Sequence, residues 1–376
     1  GSGSAGGGGF GGGGGFWSFT LPARHILVFR FAESCLEGCY RDTIPSMALV
    51  IGVDEAGYGP NLGPLVIGLS AWKTGEVRSR GSGVGDAQAT VNLYEQLADV
   101  VCDSPDGERV AIADSKALYK PGSGLGLLER GVLGTLAAMH DDAPKSWSAL
   151  VEVTGADPNR RRRKLPWHET GFDPELTVDC ADEDVASAAR LLKQSSPTAS
   201  LTAIRARLVF PAEFNELVER FDSKGLALSH VTLELLRDAV AAVPSPPPPT
   251  PIRVTCDKHG GRNRYAELLV EHFPEYPIAT VCEGRRESRY RFGPDARFDV
   301  CFRTQGEEQL ETALASMTAK YLRELAMKAL NQFWTSHVPG LKPTAGYPVD
   351  AKRFKADIEE KRRELEIDDA VLWRKR

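Results

Sequence analysis

The stretch DEAGYGPNLGP, residues 54–64, follows directly on the apolar run ALVIGV of residues 48–53. Successive residues of a β-strand point to opposite faces, so the adjacent carboxylates of Asp54 and Glu55 can converge on one cation only where the strand ends. A buried carboxylate is costly by itself, and a divalent metal removes that cost. The glycines that follow permit a tight turn whose backbone N–H groups approach a ligand closely. The stretch therefore predicts a site for metal and phosphate together at the end of a buried strand.

The composition limits the class of protein. The chain has 376 residues, of which 42% are hydrophobic and 26% charged, as in an ordinary globular protein with a substantial core. Its net charge of −5 gives no global attraction to nucleic acid, so any polyanion must bind through local patches. The seven cysteines have neither a disulfide framework nor zinc-ligand spacing, and no apolar run reaches the roughly 20 residues that span a bilayer. We therefore expect a cytoplasmic monomer with no membrane partner.

Short apolar runs alternate with helical patterns along the chain, which predicts an α/β fold. We predict four segments: a Gly-rich, disordered extension at 1–46, a main domain at 47–140 and 201–340, an insertion at 141–200, and a helical segment at 341–376. The insertion carries five consecutive positive charges at 160–164. It is expected to be a surface loop or, alternatively, a clamp that holds a substrate.

Carboxylates recur at the ends of predicted strands. Asp54 and Glu55 end the first strand, Asp257 ends the strand at 252–256, and Asp114 follows another short strand. Strand ends are where ligand sites assemble in layered α/β sheets. Carboxylates without histidine or cysteine partners favour a hard cation such as Mg²⁺ or Mn²⁺ over zinc. The inventory therefore predicts phosphodiester hydrolysis by a metal pair, while Asp114 is expected to be a helix-entry residue rather than a ligand.

Basic residues lie beside these carboxylates. Lys258 and Arg262 follow Asp257 directly, Lys116 follows Asp114, and the segment 283–291 interleaves four arginines with a tyrosine. Arginine clusters contact phosphates, and a nearby tyrosine can stack on a base or sugar. We predict that Lys116, Lys258 and Arg262 contact substrate. The alternative for the arginine-rich segment is a solvated, ion-paired loop.

Several motifs carry a resemblance to one family. The pattern DEAGxGPxxGP at 54–64 resembles the opening signature of type 2 ribonucleases H, the ribonuclease HII and HIII group. Residues 114–116 resemble the family's Asp-Ser-Lys segment, and Asp257 falls where the family has its third catalytic aspartate. The stretch ASMTAKYLRE at 315–324 resembles a family helix, and Gly-Tyr-Pro at 346–348 resembles a tyrosine-containing segment near the family's end. The motifs follow the family's order along most of the chain.

The resemblance implies a ribonuclease H-like fold, in which helices flank a mixed sheet. It implies an endonuclease that cuts the RNA strand of RNA–DNA hybrids, or single ribonucleotides embedded in DNA. Asp54, Glu55 and Asp257 would hold two Mg²⁺ or Mn²⁺ ions, with Glu307 as the fourth carboxylate and Glu308 as the alternative. One metal would activate the attacking water, and the other would stabilise the leaving 3′-oxygen.

The same resemblance implies how substrate is read. The turn formed by Gly57, Tyr58 and Gly59 would sense the 2′-hydroxyl, which distinguishes RNA from DNA, through its backbone. Tyr347 would stack on the neighbouring deoxyribose. Tyr58 replaces the arginine of the family's Gly-Arg-Gly loop, which removes a charge close to the phosphate. Two alternatives therefore stay open: a nucleic-acid-binding relative without turnover, and a nuclease of the same fold with a substrate other than a hybrid.

Overall fold

The computed structural model describes Gly1 and residues 48–74, 91–169, 171–194, 199–242 and 250–375. Apart from Gly1, the predicted extension at 1–46 lies outside these residues. One mixed sheet forms the centre of the fold, with the strand order β5-β2-β1-β6-β9-β8-β7. Its strands are β1 (Ala48–Ala56), β2 (Leu65–Thr74), β5 (Ala199–Val209), β6 (Ile252–Asp257), β7 (Ala279–Glu283), β8 (Glu287–Phe292) and β9 (Phe298–Arg303). A separate parallel pair consists of β3 (Val101–Cys102) and β4 (Val110–Ala111).

Helices cover the sheet, so the predicted α/β class with a mixed sheet flanked by helices is confirmed. In chain order they are α1 (Leu93–Gln96), α2 (Ser115–Leu118), α3 (Gly126–His140), α4 (Trp147–Val153), α5 (Pro166–Glu169), α6 (Asp182–Gln194), α7 (Pro211–Phe221), α8 (Lys224–Ala242), α9 (Ala266–His272), α10 (Leu310–His337), α11 (Pro348–Glu364) and α12 (Asp369–Leu372). The predicted helical end of the chain is present as α11 and α12. No helix among the described residues is long and apolar enough to cross a membrane.

The register of the central strands decides where the carboxylates lie. Strand β1 pairs antiparallel with β2, as the sequence predicts, and parallel with β6, which in turn is parallel to β9. Val53 faces Cys256 across the β1–β6 pair. The next residues, Asp54 and Asp257, therefore end neighbouring parallel strands at the same edge of the sheet.

Apolar side chains of β1 alternate between two cores. Val50 belongs to the core beneath α10 and α3, whereas Leu49, Ile51 and Val53 belong to the core beneath α8 and α9. Helix α10 comes very close to the sheet, since a Cβ added at Gly52 would lie 2.1 Å from the backbone carbon of Glu311. This contact requires glycine at position 52. It brings the start of α10 to the same end of the sheet as the carboxylates.

Three segments differ from the sequence-based expectation. The spacing of apolar residues over 91–102 predicts a helix, but only the single turn α1 forms before the chain enters β3. The arginine-rich segment 283–291 contains strand β8, because Ser288, Tyr290 and Phe292 alternate into the core. The segment 141–200 forms α4, α5 and α6 rather than a surface loop, and its side chains Trp147, Leu150 and Val185 join the core under α10.

Candidate active site

The four predicted carboxylates lie at one edge of the sheet: Asp54 and Glu55 end β1, Asp257 ends β6, and Glu307 lies in the 3₁₀ turn Gly306–Glu308 that follows β9. We call these four residues the acidic cluster. The N–H of Gly306 donates a hydrogen bond to Asp257 Oδ1 at 3.3 Å, which ties the 3₁₀ turn to the end of β6. All four side chains are partly buried.

Burial and mutual repulsion change the protonation of the acidic cluster. Burial, and after it the charges of Asp257 and Glu307, raise the pKa of Asp54 to about 7, although a hydrogen bond from Ser316 acts in the opposite direction. Burial, followed by the charges of Asp54 and Asp257, raises the pKa of Glu55 well above its ordinary value. Burial also raises the pKa of Asp257, against the effect of backbone N–H donors. The protein by itself therefore does not provide enough donors or cations to keep all these carboxylates in the charged form.

Lys116 is a cation close to the acidic cluster. Burial alone would lower its pKa, but the charges of Asp114, Glu307, Asp54 and Asp257 outweigh this and raise it. Asp114 caps α2, because its Oδ1 accepts a hydrogen bond from the N–H of Lys116 at 3.1 Å. The predicted helix-entry role of Asp114 is thus present. Lys116 is exposed and adjacent to the cluster, where it can meet a phosphate.

The two adjacent glutamates of the 3₁₀ turn are not equivalent. The charge of Glu307 acts on Asp54 and Glu55, which places its carboxylate with the cluster. Glu308 is exposed and pairs with Arg303 at 3.5 Å. The geometry therefore favours Glu307 over Glu308 as the fourth carboxylate.

The donor chemistry of the acidic cluster fits a hard divalent cation, since all its donors are carboxylate oxygens and its charge is uncompensated. In their present positions, the side chains of the acidic cluster do not form a complete metal site. Within the described part of the chain, no three Asp, Glu, His or Cys side chains are grouped closely enough to hold a metal ion. The carboxylates must therefore rotate toward a shared point for an ion to bind there.

Gly57, Tyr58 and Gly59 form a turn directly after the cluster, which we call the glycine turn. Gly57 has φ +88°, a conformation that glycine adopts without strain. A Cβ at this position would lie 2.5 Å from Arg323 Nε and 2.7 Å from the carbonyl oxygen of Pro64. The backbone of the turn is therefore packed on one side against a buried arginine of α10.

A polar cavity of about 550 Å³ opens beside Tyr58. Its lining residues are Tyr58, Ser223, Gly225, His259, Gly260, Arg262, Asn263 and Arg264. Lys224 Nζ lies 4.6 Å from the centre of the Tyr58 ring. The predicted contact residue Arg262 thus lines a basic cavity that adjoins the glycine turn, and this cavity can accept an anionic strand.

His259, for which the sequence leaves open a polar loop residue or a role at the substrate, is a buried residue of this cavity. Its Nδ1 lies 2.9 Å from Ser229 Oγ, and Ser229 donates its own hydroxyl hydrogen to the Gly225 carbonyl. His259 Nδ1 must then be the donor, which leaves Nε2 as an acceptor. Burial lowers the pKa of His259 to about 3, so the ring is neutral near neutral pH.

Lys258 is placed differently from the expectation. Its ammonium group is buried and lies within hydrogen-bonding distance of the Gly284 and Arg262 carbonyls and of the Ser288 and Asn263 side chains. An ammonium group has three donors, and these acceptors already satisfy them. These contacts argue against the predicted substrate contact of Lys258. Instead, they connect the 258–263 loop to the β7–β8 hairpin.

Two of the four arginines of the segment 283–291 are ion-paired, whereas Arg285 and Arg286 are exposed. Arg289 Nε lies 2.6 Å from Asp299 Oδ1, and Arg291 Nε lies 3.3 Å from Asp299 Oδ2. These pairs agree with the ion-paired alternative for this segment rather than with a phosphate-binding patch.

Tyr347 is exposed beside the glycine turn. Its ring is 56% accessible, and the carbonyl of its neighbour Gly346 accepts hydrogen bonds from the N–H groups of Asn61 and Leu62 at 2.8 and 3.3 Å. This pairing brings the predicted stacking residue to the turn. An exposed aromatic ring at such a position can stack on a sugar or base.

Ser316 is a site residue that sequence reasoning quoted only as part of a motif. Its hydroxyl lies 3.0 Å from Ser115 Oγ and hydrogen-bonds to Asp54. The signal was available, since a polar residue on the buried face of α10 needs a partner.

Comparison with known proteins agrees with the motif analysis. No family model matches the chain. The chain is similar to ribonuclease HII of Caldivirga maquilingensis, with 29% identity over 188 residues that cover 47% of this chain and 78% of that protein. The predicted resemblance to type 2 ribonucleases H is thereby confirmed.

Solved structures of this group also align with the chain. They include ribonuclease H2 from Pyrococcus horikoshii OT3, with 17% identity, a TM-score of 0.41 and coverage of 86% of this chain and 92% of that one. The PCNA:RNase HII complex from Archaeoglobus fulgidus aligns with 13% identity, a TM-score of 0.39 and coverage of 87% and 94%. Bst-RNase HIII in complex with Mn²⁺ aligns with 14% identity, a TM-score of 0.34 and coverage of 88% and 67%.

Proposed function

We propose that this protein is a metal-dependent endonuclease that hydrolyses the RNA strand of RNA–DNA hybrids, or ribonucleotides embedded in DNA. The observation that carries the proposal is the arrangement of the acidic cluster at the ends of two parallel strands, directly next to the glycine turn. The likeness to a relative named ribonuclease HII supports the same reaction class.

The acidic cluster would hold Mg²⁺ or Mn²⁺, which supplies an activated water and stabilises the charge on the leaving oxygen. Residues of this chain bind and orient the substrate around that point. The N–H groups of the glycine turn face the ribose, and the exposed ring of Tyr347 packs on the neighbouring sugar. Arg262 in the basic cavity and Lys116 beside the cluster contact the phosphates on either side.

Three duplexes test this proposal: an RNA–DNA hybrid, a DNA duplex with one ribonucleotide, and an all-DNA duplex. Each is incubated with Mg²⁺, with Mn²⁺ or with a chelator, and the products are mapped. We expect cleavage at ribonucleotides in either metal and none in chelator. Asp54→Asn and Asp257→Asn should abolish it, whereas Glu360→Gln, at an exposed position of α11, should not. Absence of cleavage by the wild type, or full activity in both asparagine variants, would show that the proposal is wrong.

A nucleic-acid-binding protein without turnover is a second candidate. Two observations favour it: Tyr58 stands where the family loop has arginine, and no three ligand side chains are grouped within the described residues. Binding of a labelled hybrid that persists in chelator, without cleavage in either metal, would support this candidate. Cleavage of all-DNA duplexes or junctions at the same rate as hybrids would instead indicate a nuclease of different substrate preference.

A further inference from the structure

A buried guanidinium lies behind the glycine turn. Arg374, which follows α12, is 1% exposed. Its Nη2 donates hydrogen bonds to the Gly57 carbonyl, at 2.5 Å, and to the Pro60 carbonyl. The guanidinium carbon lies 4.9 Å from the centre of the Phe214 ring. A side chain from a distant part of the sequence thus binds the backbone of the turn at two points.

The backbone around Arg374 delivers the side chain to this position. Trp373 forms a β-bridge with Leu62. The Arg374 N–H donates to the Asn61 carbonyl at 2.8 Å, and the Asn61 side-chain amide donates to the Arg374 carbonyl at 3.2 Å. Asn215 of α7 also donates to the Trp373 carbonyl, at 2.9 Å. These bonds do not depend on the guanidinium, so the segment can stay docked when the side chain is changed.

The guanidinium is kept without an ion pair. Among the described residues, no carboxylate lies within salt-bridge distance of Arg374, and its Nε and Nη1 have no hydrogen-bond partner. Burial, and after it the charge of Arg323, lower the pKa of Arg374 to about 9, so the side chain stays protonated at neutral pH. A buried charge without a counter-ion costs stability. Its contacts with the two carbonyls of the turn are therefore the contribution that offsets this cost.

Because the peptide bond is planar, the contacts of Arg374 with the carbonyls also fix the direction of the neighbouring N–H groups. In a trans peptide the C=O and the following N–H point in opposite directions. Because the Gly57 carbonyl points to Arg374, the N–H of Tyr58 points away from it, and this N–H donates to no residue in the described ranges. Glycine at position 57 makes rotation of this peptide easy, since no side chain opposes it. The guanidinium removes that freedom.

We propose that Arg374 is a positioning residue that fixes the Gly57–Tyr58 peptide so that the Tyr58 N–H faces the substrate ribose. This inference rests on the proposed function, because it assigns the freed N–H to a 2′-hydroxyl. The positive charge stands behind the turn, and the backbone transmits its effect to the front.

The test compares Arg374→Met, which keeps an unbranched stem but loses the donors, with Arg374→Lys, which keeps the charge on a compact ammonium. Lys375→Met is the matched control, because Lys375 pairs with Glu219 at an exposed position. For the single-ribonucleotide duplex, kcat and KM are measured in Mn²⁺. The urea midpoint of each variant is measured without substrate.

We expect Arg374→Met to lower kcat about 10- to 100-fold, with KM changed less than threefold, because a misplaced donor acts on the transition state. Arg374→Lys should recover part of this loss, and Lys375→Met should stay within about twofold of the wild type.

The outcomes separate this inference from the proposed function. An active wild type with Arg374→Met within about twofold in kcat overturns the inference and leaves the function standing. A wild type that cleaves no ribonucleotide substrate overturns the proposed function, and the substrate part of the inference with it. If Arg374→Met shows no cooperative urea transition, Arg374→Lys decides in the same cleavage assay: a wild-type kcat overturns the inference, and an intermediate loss of kcat supports it.

Discussion

Two glutamates of this protein, Glu129 and Glu55, are buried in opposite ways. Glu129 of α3 has no exposed surface, yet its oxygens accept hydrogen bonds from the N–H groups of Val178 and Asp179 and from the Tyr321 hydroxyl, at 3.0, 2.8 and 3.1 Å. Each oxygen of Glu129 thus has a donor. Such a carboxylate is stable where it is and holds the 178–179 loop against α10.

Glu55 stands at the end of β1 without comparable support. Its side chain accepts no hydrogen bond from a described residue, and after burial the charges of Asp54 and Asp257 have the largest effect on its pKa. Burial and this repulsion raise its pKa, whereas only Lys116 favours its charged form. The difference teaches that burial alone does not mark a functional carboxylate. A carboxylate without donors, beside others of its kind, indicates a place for a ligand of opposite charge.

The largest effect should come from Glu55→Gln. We expect cleavage to fall by about 10³-fold or more, because a neutral amide removes charge that would bind the cation. The free energy of unfolding should rise by about 1 kcal/mol, because repulsion within the acidic cluster is relieved. Cleavage assays in Mn²⁺ and urea unfolding measure the two quantities. A variant that is both active and less stable would remove the contrast with Glu129.

Glu129→Gln should show the reverse pattern. Whichever way the glutamine amide is turned, its NH2 group faces one of the two backbone N–H donors, of Val178 or Asp179, and leaves it without an acceptor, so the free energy of unfolding should fall by about 3 kcal/mol. Cleavage per folded molecule should remain at the wild-type level. Tyr321→Phe removes one donor only and should cost about 1 kcal/mol. Urea unfolding of both variants, with activity corrected for the folded fraction, tests this; lost turnover at full stability would contradict it.

Glu307→Gln and Glu308→Gln form a matched pair in adjacent positions. Glu307 belongs to the acidic cluster, so its change should lower cleavage about 10- to 100-fold and raise the Mn²⁺ concentration needed for half-maximal rate. Glu308 is exposed and pairs with Arg303, so its change should stay within about twofold. Metal titrations of the cleavage rate measure both. A larger loss of cleavage in Glu308→Gln than in Glu307→Gln would instead identify Glu308 as the fourth carboxylate.

Local patterns predicted the part of the site that lies at strand ends. Asp54 and Asp257 could be placed because an apolar run and a following carboxylate are both visible in the sequence, and parallel strands end at one edge. The choice between Glu307 and Glu308 could not be made, because no sequence pattern indicates which side chain of a 3₁₀ turn faces the site. Lys258 was misjudged because acceptors from a hairpin distant in sequence enclose its ammonium group.

Contacts between distant segments left no trace in the sequence pattern. Strand β8 was missed because its inward residues include Ser288 and its outward ones are charged, so the alternation is weak by hydropathy. Arg374 lies 317 positions after Gly57, whose carbonyl it binds. A single arginine near other charged residues predicts a solvated side chain, and only the fold shows it buried.

Glu311 is a third kind of buried carboxylate, and its expected effect is on stability rather than on cleavage. It lies in the first turn of α10, is 3% exposed, and its Oε2 has no hydrogen-bond partner. Burial raises its pKa to about 7 from the ordinary value of 4.5, although its own backbone N–H and Thr255 act in the opposite direction. Unlike Glu55, it has no neighbouring carboxylate among the charges that act on it.

The sign of the pH dependence follows from this raised pKa. Between about pH 4.5 and 7 the unfolded chain releases a proton that the folded chain keeps, so the contribution of Glu311 to stability becomes more unfavourable as the pH rises through this window. Glu311→Gln should therefore be more stable than the wild type by about 2–3 kcal/mol above pH 7, with the difference shrinking as the pH falls from about 7 to 4.5 and constant below. Urea unfolding across this range measures it, with Glu360→Gln as the exposed control. A difference that does not change with pH would mean that Glu311, like Glu129, has donors for its charged form.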